Sequence, residues 1–488
     1  GAANIFIGRE AGHDITTGNR NTIIGTNAGD SATTPDDAVL VGYGAGGGAV
    51  MTGHDNVAVG VNSLFYTTSG ATNTAVGREA LQNNTTAGGN TALGYAAGKT
   101  ITTGTNNVAL GDRAMNGGAV TGNFNIAIGR TTQTSLTSGA QNHSMGVDSL
   151  ATNTDGSNNI AIGASSLRLG ASPDNNVAVG VNAGRNGTAA GSIYIGYQAG
   201  YNHTSSSYNT HIGYGAGYST TTGNGLNVGY EAGYSITTGT NNTYVGRYRP
   251  GYSTTTGATN TGIGDQALRD NTTGSHNTAV GAYALDANTT ASYNNAFGRN
   301  ALGATTTGYG NVGIGEGAGL QNTTGYANVF IGSYTGSSEA AGRLSTGDQN
   351  TYIGQSSGSA MTSGNHNTIL GRYNGNQHSL DIRTSSNNIV LSDGQGNPRM
   401  RFGSTGAAAM GGASYDSSKT LKAATVGTTS ADYVFYGIGT QTGGSGRVHY
   451  WELPNTTSAS AYFVYAQNSG GGVFAVRGDG DVENANNS

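Results

Sequence analysis

Asn73-Thr74-Ala75-Val76-Gly77, Asn90-Thr91-Ala92-Leu93-Gly94 and Asn107-Val108-Ala109-Leu110-Gly111 are three successive copies of one phrase, N-x-A-[VIL]-G, which returns 22 times between Asn4 and Gly371. Its closing glycines run from Gly8 to Gly371, 363 residues in 21 steps and so a mean near 17. Every step is 16, 17 or 18 residues except the 22 from Gly332 to Gly354. A short fixed period marks a stacked, quasi-one-dimensional fold in which each repeat touches only its neighbours. The chain therefore reads as all-β, a parallel β-solenoid or β-roll of about 22 coils with a 17-residue period.

Counting from the closing glycine as zero, position −1 is apolar in every copy, from Ile7 and Val76 to Met145 and Phe297. Position −3 favours Thr, Val and Ile, which suit a pleated strand. Two-residue alternation puts −1 and −3 on one face, and these are the side chains expected inside the coil. Alanines at −2 (Ala75, Ala92, Ala109, Ala127) face the other way, leaving room for a second backbone layer. Position −4 is Asn in 19 of the 22 copies, which predicts an in-register amide ladder, assisted by the tolerance of Asn for turns. The glycine itself predicts a positive φ or a close backbone approach. Position +3 is Ala or Ser in 18 copies, followed by turn strings such as Thr102-Thr103-Gly104. Each repeat is expected to run strand, corner, short second strand, turn.

Seventeen extended residues make a loop of roughly 56 Å at about 3.3 Å each. So small a coil has a thin core and is expected to lean on identical neighbours. At about 4.8 Å per coil, 22 coils predict a rod of roughly 105 Å.

Composition narrows the function classes. Glycine at 86 with proline at 5 excludes collagen, and 10% charged residues with a strict period exclude a disordered polyelectrolyte. The net charge of −5 is spread thinly, with no basic patch for nucleic acid and no apolar run that would span a bilayer. Cysteine is absent, so neither disulfides nor thiolate metal sites enter. The chain opens at Gly1 without methionine, which predicts a missing N-terminal piece.

The phrase N-x-A-[VIL]-G-x-x-A resembles the head repeats of trimeric autotransporter adhesins and covers about three quarters of the chain. The resemblance implies a left-handed parallel β-roll associated as a trimer. The period departs from that family's, which is near 14 residues, and no membrane anchor is found.

Beyond Gly371 the rhythm is expected to stop, giving three parts: a shaft over 1–375, a β-hairpin and neck over 376–412, and a β-rich tip over 413–488. Asn387–Asp393 and Pro398–Phe402 read as strand, Gly-rich turn and strand, with proline tolerable at the strand entry. Tyr433–Tyr436, Val448–Leu453 and Tyr462–Tyr465 read as aromatic-rich strands, and Val473–Val476 with Asp481–Asn484 as a closing hairpin. This segment is also expected to cover the sticky edge of the last coil. The strings NNIVLSDGQGNPRMRF and VFAVRGDGDVENANNS resemble phage tail-fibre segments that precede an endosialidase-type intramolecular chaperone. That resemblance implies a trimeric virion fibre whose self-cleaving chaperone belongs after Ser488.

Tyrosine is the most suggestive feature for a site. Tyr197, Tyr214 and Tyr230 fall at +1 of consecutive coils, and Tyr201, Tyr218, Tyr234 and Tyr252 about four residues on. They predict two aromatic ladders that either stiffen the shaft or form a glycan platform. Tyr433, Tyr436, Tyr450, Trp451 and Tyr462 are the corresponding candidates for receptor contact at the tip. Glu79, Asp112, Asp148, Glu231 and Asp265 scatter over variable positions; neighbouring coils could bring together a carboxylate pair of the kind a glycan-cleaving spike requires, for instance Asp36 or Asp37 with Asp55, but no pair is preferred. No Ser-His-Asp set or H-E-x-x-H motif occurs, so no catalytic, cofactor or metal residue is assigned. His54, His276 and His366 precede strands in turn positions facing solvent, and Arg477-Gly478-Asp479 matches an integrin-binding tripeptide incidentally.

The expectation is a non-enzymatic, extracellular phage tail fibre. Its partners are two further copies of itself, tail or baseplate proteins through the missing N-terminus, and a host surface glycan or protein, with no nucleic acid and no membrane insertion. A cell-surface adhesin or filament is the alternative, and a polysaccharide-degrading tailspike is less favoured.

Overall fold

The computed structural model describes residues 2–336, 339–343 and 346–404, together with the backbone of seven further strands between Ala408 and Glu483. The described residues contain no helix, and therefore none able to cross a membrane. The chain divides into two compact units, 1–260 and 261–488. Each unit carries parallel β-solenoid coils, about 23 turns in all at a period near 17 residues.

Every copy of the phrase yields a strand, most of them three residues long and centred on −2, and within each unit these strands pair in parallel with the same positions of the next copy. In the first unit Thr74–Val76 pairs with Thr91–Leu93, which pairs with Val108–Leu110. In the second, Thr278–Val280 pairs with Asn295–Phe297.

Inside and outside are the reverse of the expectation. Position −2 points into the coil, so Ala58, Ala75, Ala92 and Ala109 are fully buried. Positions −1 and −3 point outward and stay partly or largely exposed, as at Ile160, Ile162, Ile193 and Ile195. The physical reason lies across the coil. The residue at +4 fills the same interior, leaving room for only a small residue at −2 wherever +4 is large.

That exchange of volume recurs from coil to coil. Ala58, Ala75 and Ala161 at −2 go with Leu64, Leu81 and Leu167 at +4, all buried. Where −2 is large, +4 is glycine, except in the coil of Tyr244, where Pro250 takes +4 and the glycine, Gly251, falls at +5. A Cβ on Gly200 would stand 2.2 Å from the Tyr194 ring, and one on Gly251 2.5 Å from the Tyr244 ring. In the second unit a Cβ on Gly358 would meet Tyr352 at 2.5 Å. Burying one leucine in this way contributes about 1.5–3 kcal/mol.

The closing glycine is required on both of the expected grounds. Gly77 has φ +133°, and a Cβ there would lie 2.3 Å from the Gly94 carbonyl oxygen. The Asn ladder forms, with rungs that run mainly from side chain to main chain. Asn107 Oδ1 accepts from the Asn125 N–H at 2.9 Å, and Asn107 Nδ2 donates to the Gly122 carbonyl at 3.0 Å. The turn conformation falls one residue earlier, at −5, where Asn106, Phe124 and Gln141 have φ near +57°. The expected second strand is replaced by a run of turns. Left-handed residues at +2 and +4, such as Glu79 and Leu81, curl the segment, yet its N–H groups still bond the next coil, as Leu81 N–H does to Ala97 O at 3.0 Å. Corner threonines add rungs, with Thr68 Oγ1 donating to Thr85 O at 3.0 Å.

In the second unit the solenoid runs one coil beyond the 22 phrases. Ile389–Ser392 pairs in parallel with Thr368–Leu370, and Asn388 continues the ladder by donating its N–H to Asn367 Oδ1 at 2.9 Å. A small antiparallel hairpin, Asn376–Gln377 with Leu380–Asp381, absorbs the extra residues of this coil. The other edge of Ile389–Ser392 is covered by the antiparallel strand Pro398–Phe402, as the sequence predicts, and that strand pairs in turn with Ala408–Met410. Beyond lies an antiparallel sheet of Lys419–Lys422, Tyr433–Gly439, Val448–Glu452, Tyr462–Asn468, Gly471–Arg477 and Val482–Glu483 in sequential order, which contains the aromatic strands and the closing hairpin expected.

Candidate functional site

Both tyrosine ladders form, within the first unit. Ring centroids of Tyr197 and Tyr214 stand 5.1 Å apart, those of Tyr214 and Tyr230 5.3 Å, and those of Tyr230 and Tyr248 5.4 Å, with planes tilted by 21° or less. The second column stacks Tyr201 on Tyr218 at 5.1 Å, Tyr218 on Tyr234 at 4.9 Å and Tyr234 on Tyr252 at 5.4 Å. Parallel register at the coil spacing puts identical residues one above another, so the ladder follows directly from the period. Tyr248 is missed by counting because it sits at +2. The register shifts between Val228 and Tyr230, and Tyr230 pairs with Tyr248.

Cations close the columns. The Arg185 guanidinium lies 5.4 Å from the Tyr201 ring centroid and donates to its hydroxyl at 3.1 Å. At the other end Arg249 lies over both Tyr248 (5.0 Å) and Tyr252 (4.7 Å). Arg249 Nε also donates to the Glu231 carboxylate at 2.6 Å. A hydrogen bond to Glu231 raises the Tyr230 phenol above its ordinary value, while burial leads in raising Tyr234.

This geometry changes what the ladders offer. Each inner ring has a neighbour over both faces, so solvent meets ring edges and phenolic groups at one per coil. Sugar faces cannot lie flat on rings already stacked. The chemistry available is a row of hydroxyl donors and acceptors spaced about one coil rise apart.

Behind the ladders the coil interior is polar, a feature the sequence reading missed. Positions −2 of four consecutive coils are Tyr194, His211, Asn227 and Tyr244, all buried, with His203 buried beside them. The Tyr194 hydroxyl and His203 Nδ1 are 2.6 Å apart, and Asn227 Nδ2 lies 3.0 Å from His211 Nδ1. His211 Nε2 is buried without a hydrogen-bond partner. Burial pushes His203 down to about 4 and His211 down to about 3, where His203 adds to the effect. Two signals betray this interior in the sequence: the departure from alanine at −2, and glycine at +4 in the same coils (Gly200, Gly217, Gly233).

Most of the other candidates have structural partners. Asp37 takes a bidentate pair from Arg20 at 2.6 Å, and Asp36 accepts the Asn19 N–H at 2.6 Å with His54 close by. Glu79 binds Lys99 at 2.8 Å, and Asp148 accepts from Thr131. His54, His276 and His366 face solvent, with His276 stacked on Tyr293 at 5.0 Å. Among the described residues no group of three His, Asp or Glu side chains is placed to hold a metal ion. Tyr433, Tyr436, Tyr450, Trp451 and Tyr462 lie on strands traced by backbone alone, so their side chains fall outside the described residues, as do Gly478 and Asp479. The chain matches no protein family, no curated protein and no solved structure.

Proposed function

We propose that the protein is a structural and attachment fibre, three copies bundled side by side through the outer strand faces, with the C-terminal sheet as the receptor-contacting end. The observation that carries this reading is the exposed apolar stripe at −1 and −3. Ile160, Ile162, Ile193 and Ile195 are each more than a third exposed in the first unit, and Ile263, Phe297, Ile314 and Leu370 likewise in the second. A monomer rarely leaves so regular an apolar strip in water. A partner for it must present apolar rungs at the same spacing over many coils, and another copy of this chain does so. The number three rests on the resemblance to trimeric adhesins and tail fibres. The phage setting rests on the two terminal segments, and three equal ends would raise avidity without strong single contacts. The repeat phrase favours a cell-surface adhesin as second reading.

Sedimentation equilibrium tests the assembly. A trimer of the 48.9 kDa chain has a mass of about 147 kDa, three times that of the single chain. Ile160→Asp with Ile162→Asp is expected to weaken association while leaving strand content intact. A wild-type protein that sediments as a monomer overturns the proposal. Adsorption of labelled protein to bacterial cells, lost on removal of 413–488, separates a fibre with a binding tip from an inert filament.

A further inference from the structure

The step from Gly332 to Gly354 breaks the period, and the structure makes a cavity there. Gly332 to Gly342 takes ten residues where the equivalent Gly315 to Gly319 takes four. The chain passes the corner twice. On the first pass Tyr334 N–H bonds back to Glu316 O at 2.8 Å, in the preceding coil. On the second, Glu339 O accepts from Ser356 N–H at 2.8 Å, in the following coil. Ala341 and Gly342 then resume the ordinary positions, Gly319 N–H bonding Ala341 O at 2.9 Å and Gly342 N–H bonding Ser357 O at 2.8 Å. The coil-to-coil strand register is untouched, since Val329–Ile331 still pairs with Thr351–Ile353. The doubled corner leaves a cavity of about 160 Å³ beside it, lined by Arg299, Glu316, Leu320, Tyr334 and Arg343 among others.

We infer that this cavity is a binding site for a single carboxylated sugar, of the hexuronic acid class. The volume is that of one small ring compound. Arg299 and Arg343 border it, each held by a carboxylate, Glu316 and Glu339 respectively. Each guanidinium has five N–H donors and gives one to that carboxylate, which fixes the group and leaves a fork for a ligand carboxylate. The Glu316 carboxylate offers an acceptor to sugar hydroxyls. Tyr334, about 40% exposed, has among the described residues no stacked neighbour of the kind that occupies the ladder rings, so its ring can take the apolar side of a sugar. Leu320 and Ala340 supply the apolar floor. One aromatic wall, one apolar floor and a few convergent polar groups are what a small-ligand site requires. The inference concerns one chain and does not depend on how many copies assemble.

Saturation-transfer NMR of the full chain with D-glucuronate tests it, with D-glucose, acetate and inorganic phosphate as parallel probes. The expected result is millimolar binding of glucuronate, at least tenfold weaker binding of the other three, and a tenfold or greater loss for Arg343→Gln and for Tyr334→Ala. Equal binding of acetate or phosphate would mean a plain anion site and overturns the sugar assignment. No binding of glucuronate overturns it as well, as does binding unchanged in both variants. Arg343 and Tyr334 belong to the doubled corner, outside the strands, so an unaltered circular dichroism spectrum certifies that each variant still folds.

Discussion

Tyr352 and Gly358 share one space: a methyl on Gly358 would stand 2.5 Å from Cδ2 of the Tyr352 ring. In other coils the same two positions hold alanine and leucine, with Leu64 and Leu81 adopting the left-handed conformation at φ +49°. Neither residue is free to grow without the other shrinking. Gly358→Leu alone is expected to destabilise by about 3 kcal/mol through overpacking. Tyr352→Ala alone should cost about 3–5 kcal/mol through the cavity it leaves. The double variant should fall short of the sum by at least ~1 kcal/mol, read as a coupling energy from urea midpoints. Strict additivity would show that the two positions do not trade volume.

Ala38 is a natural gap in the Asn ladder. Ala38 N–H donates to Asn21 Oδ1 at 2.9 Å, but its own side chain offers nothing to the next coil. Asn56 Nδ2 instead donates to Gly53 O at 3.1 Å within its own coil. Ala38→Asn restores the rung and is expected to stabilise by about 1 kcal/mol. Asn107→Ala, which orphans a buried N–H and a buried carbonyl, should destabilise by about 2 kcal/mol or more. Thermal unfolding of the two variants checks both signs at once.

The buried imidazoles predict a stability that falls on mild acidification. His203 and His211 are held near 4 and 3, below the ordinary 6.5, so the unfolded chain takes up protons that the folded chain refuses. Their contribution is complete above about pH 6.5 and declines as pH drops toward 4, by up to about 1.4 kcal/mol per pH unit for each group. Asp381, held down at about 2 chiefly by Arg383, acts only in a lower window, below its ordinary 3.8. Urea midpoints at pH 7.5 and 5 should therefore converge in a His203→Gln, His211→Asn variant relative to wild type. Parallel losses in both proteins would remove the imidazoles as the cause.

Tyr218 has a stacked ring on each side, so Tyr218→Ala is expected to destabilise by about 1–3 kcal/mol. If the ladder only stiffens the coils, cell adsorption is unchanged at a temperature where the variant remains folded. A selective loss of adsorption would instead give the phenolic column a direct role in attachment.

Much of the fold was legible because period, phrase and ladder are all one-dimensional. The glycine column, the Asn rungs and both tyrosine stacks follow from residues repeating in register. What failed was the direction of the strand. Apolar side chains such as Ile160 and Ile162 look like core by hydropathy, and alanine looks like spacer. Deciding between faces needs the residue across the coil, and Leu64, Leu81 and Leu167 stand at +4 in plain view. The second strand failed because left-handed turns at +2 and +4 carry no strong residue signature, Glu79 and Asn62 being as acceptable there as glycine. The corner cavity was visible only as an irregular number, since the crossing of Ser333-Tyr334 and Glu339-Ala340 is a matter of bonding partners.

The doubled corner after Gly332 shows that surplus chain can be parked at a bend while the strands on either side keep their partners. Such a bend is a natural port for foreign cargo. A peptide epitope, an enzyme tag or a fluorophore attachment site spliced between Thr335 and Glu339 would ride on the scaffold without entering its hydrogen-bond lattice. Copies of this coil placed at chosen intervals would turn the molecule into a ruler bearing displayed groups at set distances.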